Sequence, residues 1–402
     1  MDIDKSDRTA GGRKTESFPL GSALFIVSVF FMTFVGRVIL SPLLLPIEEA
    51  LGLNHAQGGA LFFVISLGLI LTMFFSGFVL RHIQHHTCIA LSGVITGVAL
   101  FILAASRDLL WFRIGLFLTG AAAGLYLPSG IVTITELVPL ERRGMGIAMH
   151  ELGPILGLAA SPLIAEIALR MTDWRTLMWV LGAVSLTLGI LFARFGRGGR
   201  LYGTPPHWRA LYGIVKQRDF WIIAIFFVLS IGHEVGIYSM LPAYLIDGRG
   251  INQSFVNSIV STSRLTSLLM VFTAGWLADS FGYKRMMAVT AVLCGSVTVL
   301  LGVAQGWLLI AALYIQPMLI SAFFPAGITA MAGICTAEQR NLSVSLIVPL
   351  GYLFGGGTVP ALIGRLAEQG SFGLGFIIVG SLFVASVLLV PFLSGRRDGP
   401  DS

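Results

Sequence analysis

Twelve apolar stretches, separated by short polar breaks, occupy most of this 402-residue chain. They run approximately over residues 20–46, 56–80, 87–105, 109–136, 144–169, 175–195, 220–246, 254–278, 286–304, 307–334, 342–367 and 371–394. At 1.5 Å of rise per residue, about 20 such residues cross the hydrocarbon core of a bilayer. Inside that core each backbone N–H and C=O must be paired within its own segment, so runs of this length are read as helices. The predicted fold is an all-α membrane protein with twelve transmembrane helices. Composition agrees: 55% of the residues are hydrophobic and 11% charged, against about 25% charged in a soluble domain. A mean hydropathy of +0.87 leaves little surface suited to water.

The longest polar interruption, Arg194 to Asp219, contains six Lys or Arg residues together with Pro205 and Pro206. It divides the chain into a polar tail (1–19), a first six-helix bundle (20–195), a linker (196–219), a second six-helix bundle (220–394) and a short tail (395–402). Basic residues are distributed unevenly. The tails, the linker and the loops on their side hold 18 of the 26 Lys and Arg residues. The opposite side holds six: Arg107, Arg113, Arg170, Arg175, Arg249 and Arg365. By the positive-inside rule both termini are expected in the cytoplasm of a multi-pass protein of the inner or plasma membrane. The formal charge of +6 is thus assigned to topology, and no nucleic-acid partner is expected. The polar start has no cleavage motif after its apolar run and reads as a tail before a retained first helix. Cys88, Cys294 and Cys335 share no metal-like spacing and read as free thiols.

The two halves repeat each other. Gly36 and Pro46 recur as Gly232 and Pro242, offset by 196 residues. GFVLRHIQHH from Gly77 aligns with GWLADSFGYKR from Gly275, offset 198, and LPSG at Pro128 with FPAG at Pro325, offset 197. Thirteen residues beyond each proline stand Glu141-Arg142-Arg143 and Glu338-Gln339-Arg340. A near-constant shift through helices and loops alike predicts two bundles in parallel repeat, with a solute site at the midplane between them.

Several of these motifs resemble those of the major facilitator superfamily, and the likeness covers essentially the whole chain. GWLADSFGYKR (Gly275, Asp279, Gly282, Lys284, Arg285) is similar to the family's loop signature. Arg113 with Gly120, Gly124 and Pro128 resembles its segment-four pattern, and Gly153-Pro154 with Gly157 its segment-five pattern. The first-half copy of the loop signature departs, with Arg81 at the acidic position and His85-His86 in place of the basic pair. The resemblance implies a monomeric carrier, a cavity lined by segments one, four, seven and ten, and a role for Asp279 in steadying the outward-open state.

Mid-membrane ionisable groups then define the candidate site. Arg37 lies near the middle of segment one, His150-Glu151 in segment five, His233-Glu234 in segment seven and Arg264 in segment eight. A charge at that depth costs at least about 2.5–3.5 kcal/mol and normally faces a protein interior or a water-filled cavity. The bland alternative is internal salt bridging, above all between Arg264 and Glu234. Two guanidinium groups with histidine point instead to an anionic solute, because the planar fork stays charged and matches carboxylate or phosphate. His150 and His233 titrate near neutrality, and Glu234 and Glu151 are the candidate proton carriers. Tyr126, Tyr238, Gln316 and Tyr352, with Ser41, Thr133 and Ser239, are candidate hydrogen-bonding partners of the solute. The Gly355-Gly356-Gly357 run predicts a close helix approach.

Within the superfamily the pattern resembles the organic anion and organophosphate symporters, where an arginine in segment one and a histidine in segment five commonly face the anion. Glu234 stands near where phosphate-ester exchangers carry a second arginine, which favours a carboxylate or another small organic anion. The expected function is proton-coupled symport of such an anion by alternating access. The rival reading is a proton-driven exporter of drug-like or cationic compounds; Gly153-Pro154 fits it, but segment one has no carboxylate to attract a cation. A metal site at the His-Glu pairs is disfavoured because adjacent helical residues point about 100° apart. No HExxH, GxSxG or Walker loop appears, so neither an enzyme nor a cofactor is expected.

Overall fold

The computed structural model describes residues 19–139, 142–203, 208–333 and 337–394, which form helices and connecting turns with no strand among them. Eleven helices of the described residues are long and apolar enough to cross a membrane. In chain order α1 is Leu20–Leu51, α2 His55–Val79, α3 His85–Ala105, α4 Leu109–Leu137, α5 Arg143–Met171, α6 Trp174–Phe195 and α7 Arg218–Gly248. The eighth path, α8, is in two pieces, Gln253–Leu265 and Ser267–Phe281. Then come α9 Tyr283–Val303, α10 Gly306–Gly333, α11 Ser343–Glu368 and α12 Phe372–Phe392. With α8 the count matches the twelve apolar segments. Polar caps set the starts: Asn54 forms a capping box with Gln57 on α2, and Asp108 and Asp173 cap α4 and α6. At the far end of α1, Gly52 turns the chain with φ 63°. Residues 1–18, Glu141, Pro205-Pro206, Cys335 and the tail from 395 lie outside the described residues, as do the side chains of Asp279 and Glu338-Gln339-Arg340.

The face carrying the basic loops is called near, and the opposite one far. The start of the linker is stitched to the near face of the first half. His85 N donates to Leu201 O (3.2 Å), His86 N to Gly199 O (2.7 Å) and Gly203 N to Leu80 O (2.9 Å), while Gly199 N donates to Glu136 (2.8 Å).

Prolines decide how the two halves are joined. Pro162 in α5 has no N–H to offer the carbonyl of Leu158, four residues back. That carbonyl accepts from the Tyr238 hydroxyl of α7 at 3.0 Å. Pro242 leaves the Tyr238 carbonyl without its helical donor in the same way, and the Ser41 hydroxyl of α1 donates to it at 2.8 Å. Both bonds tie the first six helices to the last six. The others lie toward the far face: Asn257 of α8 donates to Glu166 of α5 (2.8 Å), Ser254 donates to the same carboxylate, and Ser261 donates to Ala159 O. His55 N of α2 donates to Glu368 of α11 (2.7 Å). These hydrogen bonds between the halves join α1, α2 or α5 to α7, α8 or α11. The far side is the latched one.

The glycine run of α11 sits in a π-helical stretch, Gly351–Thr358, packed against α7. A Cβ on Gly355 would lie 2.2 Å from Val228 O and 2.5 Å from Gly232 N. The two backbones touch because neither carries a side chain there, as the sequence predicts. We therefore expect Gly355→Ala to destabilise the protein by about 1–3 kcal/mol through overpacking, read as a lower melting temperature in detergent. Gly144→Ala, where a Cβ would meet nothing within 4 Å, should leave it unchanged; equal melting temperatures for the two variants would refute the packing argument.

Candidate functional site

Gly153 and Gly157 of α5 present a smooth surface to α1. A Cβ on Gly153 would come 3.0 Å from the Phe30 ring, and one on Gly157 2.9 Å from the Phe34 ring. Each phenyl seats against α5 and carries a functional side chain. Phe30 stacks on His150, with ring centroids 4.3 Å apart, and on Tyr126 at 4.6 Å. Phe34 lies 4.7 Å from the Arg37 guanidinium, which also stands 5.0 Å from the Tyr352 ring of α11. Arg264 of α8 is placed similarly, 4.8 Å from the Tyr238 ring. Such contacts with a ring face hold a cation in place without cancelling its charge.

Both guanidinium groups are buried, at 6% exposure for Arg37 and 2% for Arg264, and the Nε of each has no hydrogen-bond partner. Among the described residues no carboxylate comes within ion-pair distance of either. The Arg264–Glu234 salt bridge weighed as the bland alternative does not form. Glu234 is half-buried in the π-helical turn Gly232–Gly236 and makes no hydrogen bond or ion pair with any described residue. Its carboxylate nevertheless feels the charges of Arg264, Arg37 and Glu151. Tyr352 feels those of Arg37, Glu234 and Glu151. His150 is buried, with Nδ1 3.3 Å from Glu151 Oε1 and an unpartnered Nε2, while Glu151 itself is about half exposed, at 52%. Arg37 and Tyr352 line one small space between the halves; Glu151, Glu234 and Arg264 are not among its lining residues, and His150 lies beside Glu151. Beside Arg37 that space, bounded also by Phe62, Ser66, Ser239 and Gly356, measures about 20 Å³, which is room for a single water. Any larger solute requires the helices to part.

The remaining predicted residues are placed away from Arg37, or meet the site through their rings alone. His233 is fully buried against Phe383 of α12, with ring centroids 4.5 Å apart, and its Nδ1 bonds Leu229 O at 2.7 Å. Gln316 donates to the His233 carbonyl (2.9 Å), so both are engaged within the last six helices, while His233 Nε2 has no hydrogen-bond partner among the described residues. Tyr126 and Tyr238 spend their hydroxyls on Ile26 O and Leu158 O and present ring faces. Thr133 is buried beside Gly199 at the near face. Arg113 is exposed near the start of α4. Of the loop signature, Gly282 adopts φ 81°, Lys284 donates to Leu393 O at the end of α12, and Arg285 is exposed.

Phe30, Phe34 and Ser66 were not anticipated from the sequence. Phe34 precedes Arg37 by three residues and so lies on the same helical face. Ser66 aligns with Arg264 through the repeat offset of 198, a signal that could have found it.

Comparison with known proteins places this arrangement in a family. The profile described as Major Facilitator Superfamily matches residues 26–263 and 236–402. An uncharacterised MFS-type transporter of Mycobacterium tuberculosis (strain CDC 1551 / Oshkosh) is 25% identical over 386 residues, covering 92% of this chain and 83% of that one. The probable sulfoacetate transporter SauU of Cupriavidus necator is 22% identical, with 93% and 94% covered. The putative niacin/nicotinamide transporter NiaP of Bacillus subtilis is 22% identical, with 73% of each chain covered. Among solved structures, a bacterial homologue of the lysosomal transporter Spinster, inward-facing and occupied, superposes with a TM-score of 0.76 at 14% identity, covering 95% and 99%. A D-xylose-proton symporter gives 0.75 at 17% identity, with the same coverage. These structural likenesses carry the fold, and the profile match carries the assignment: the chain belongs to the Major Facilitator Superfamily.

Proposed function

We propose that this transporter moves a small organic anion, preferably a carboxylate, together with protons by alternating access. The observation that carries the reading is the pair of buried guanidinium groups, Arg37 and Arg264, each with an unpartnered Nε and no carboxylate within ion-pair distance. A buried charge without a counter-ion costs several kcal/mol, and a bound anion offsets that cost through charge-assisted hydrogen bonds. Glu234, which feels both arginines, is the proposed proton carrier, with Glu151 and His150 as a second exchange point. When Glu234 is protonated the site carries more net positive charge, and the anion that then binds restores neutrality before the halves move. The cavity beside Arg37 holds about one water, so the two six-helix bundles are taken to rock about the midplane, with the basic face cytoplasmic. Two relatives are named for sulfoacetate and for niacin/nicotinamide, and a carboxylate is common to sulfoacetate and niacin. A multidrug resistance protein is also a relative, but the exporter reading lacks a carboxylate in the apolar stretch 20–46 of α1 to draw a cation toward Arg37.

The direct test is uptake into proteoliposomes of purified protein, with a panel of organic anions and an imposed pH gradient. Uptake from the acidic side, abolished by Arg37→Ala, is the expected result. Flux evoked by lipophilic cations and by no anion would transfer the protein to the exporter class. Arg37→Lys should lower uptake by about tenfold or more although the charge is kept, since the planar fork is lost; a near wild-type rate would remove Arg37 from the solute site. Glu234→Gln should abolish acceleration by the pH gradient while anion exchange across the membrane persists, and an unchanged response to the gradient would rule Glu234 out as the carrier.

A further inference from the structure

On the far face, remote from the arginines, one histidine is held between both halves by carboxylates. His55 opens α2. Its Nδ1 lies 2.8 Å from Glu48 Oε2 at the end of α1, and its Nε2 lies 3.5 Å from Asp247 Oδ2 at the end of α7. Its backbone N–H donates to Glu368 at the end of α11. Gly58 makes the Glu48 contact possible, because a Cβ there would overlap the Glu48 carboxylate. Phe372 packs against the ring at 5.3 Å. The cation nearby, Arg249, lines the same cavity of about 440 Å³ but is bound to the Tyr244 hydroxyl and to Gly302 O. Three carboxylates from three helix ends therefore face His55, and the one basic neighbour in that cavity is already engaged.

Both ring nitrogens point at carboxylate oxygens. A neutral imidazole has one N–H and turns a lone pair toward the other carboxylate, whereas an imidazolium donates to both. We propose that His55 is a proton-binding site of the far gate: bound there, the proton bridges Glu48 of the first half to Asp247 of the second and holds that side shut. Opening the far side separates α2 from α7, removes the Asp247 acceptor and lowers the affinity of the ring for the proton. By linkage, acid on the far side favours the closed gate and a rise in pH favours opening, by at most tenfold in population per pH unit for one proton. The Glu166 latch of α5 with Ser254 and Asn257 contains no such switch and sets the gate's baseline. This inference rests on alternating access, but not on the identity of the solute.

The test is the distance between spin labels at Arg107→Cys and Gln305→Cys, two exposed positions in far-side loops of opposite halves. The labels are placed on protein in lipid nanodiscs whose native cysteines are replaced by serine, and the distances are measured between about pH 5 and pH 8. The wild-type sequence at the gate should show a short-distance population that falls severalfold or more as pH rises. His55→Gln, which keeps a hydrogen-bond donor but does not titrate, should flatten the response. Asp247→Asn, which leaves the ring in place, should weaken it. A single distance at every pH would overturn the gate together with alternating access. A pH-independent mixture of distances, or an unaltered pH response in both variants, would overturn the His55 site while leaving alternating access standing.

Discussion

The structure depends on one constraint: in a bilayer, a backbone carbonyl that loses its helical donor must find another. Pro162 and Pro242 each create such a carbonyl, at Leu158 and at Tyr238, and each is answered from the other half of the chain, by Tyr238 and Ser41 respectively. A residue that would merely weaken a soluble helix thereby becomes a fastening between bundles. These bonds are few and lie alongside a carboxylate latch at Glu166 and a histidine cluster at His55. An interface of this kind has discrete bonds to break, which suits the alternating access proposed for it.

Against that frame the two arginines are the main electrostatic feature. Their rings, Phe34 and Tyr352 for Arg37 and Tyr238 for Arg264, fix where the charges stand without neutralising them. Glu234 is near enough to feel both but not to pair with either. Among the described residues, the two buried guanidinium groups are left without a carboxylate at ion-pair distance. The same Tyr238 also supplies an interhalf hydrogen bond, so the element that positions Arg264 belongs to the fastening between the halves. Under the proposed function, Tyr238 would join solute binding at Arg264 to movement of the bundles through shared atoms.

Much of this was legible in the sequence. Segment length and apolarity require twelve membrane helices, because no other backbone arrangement of such runs pairs its own polar groups in lipid. The constant offset shows the repeat, and the depth of Arg37, Glu234 and Arg264 in apolar segments makes them functional candidates by sequence alone. Rotation about a helix axis is a different matter. His233 and Glu234 are neighbours, yet one turns into the packing against Phe383 and the other toward the arginines. Adjacent residues on a helix point about 100° apart, and only contacts with other helices choose between them. The same holds for Gln316, a plausible solute ligand by position that instead caps the His233 carbonyl.

The far-side cluster shows the limit most clearly. Glu48, His55, Asp247 and Glu368 lie in separate helix ends up to 320 residues apart in the chain, and no spacing rule joins them. The sequence by itself determined the class of protein, its apolar crossings and which ionisable residue types stand at mid-membrane depth, since these follow from local composition and from the cost of charge in lipid. Which of those residues meet, which carbonyls the prolines give up to a partner, and which side of the molecule is latched were decided by tertiary structure. Each of these depends on how helices distant in sequence are rotated and packed against one another, and local residue order carries no record of that angle.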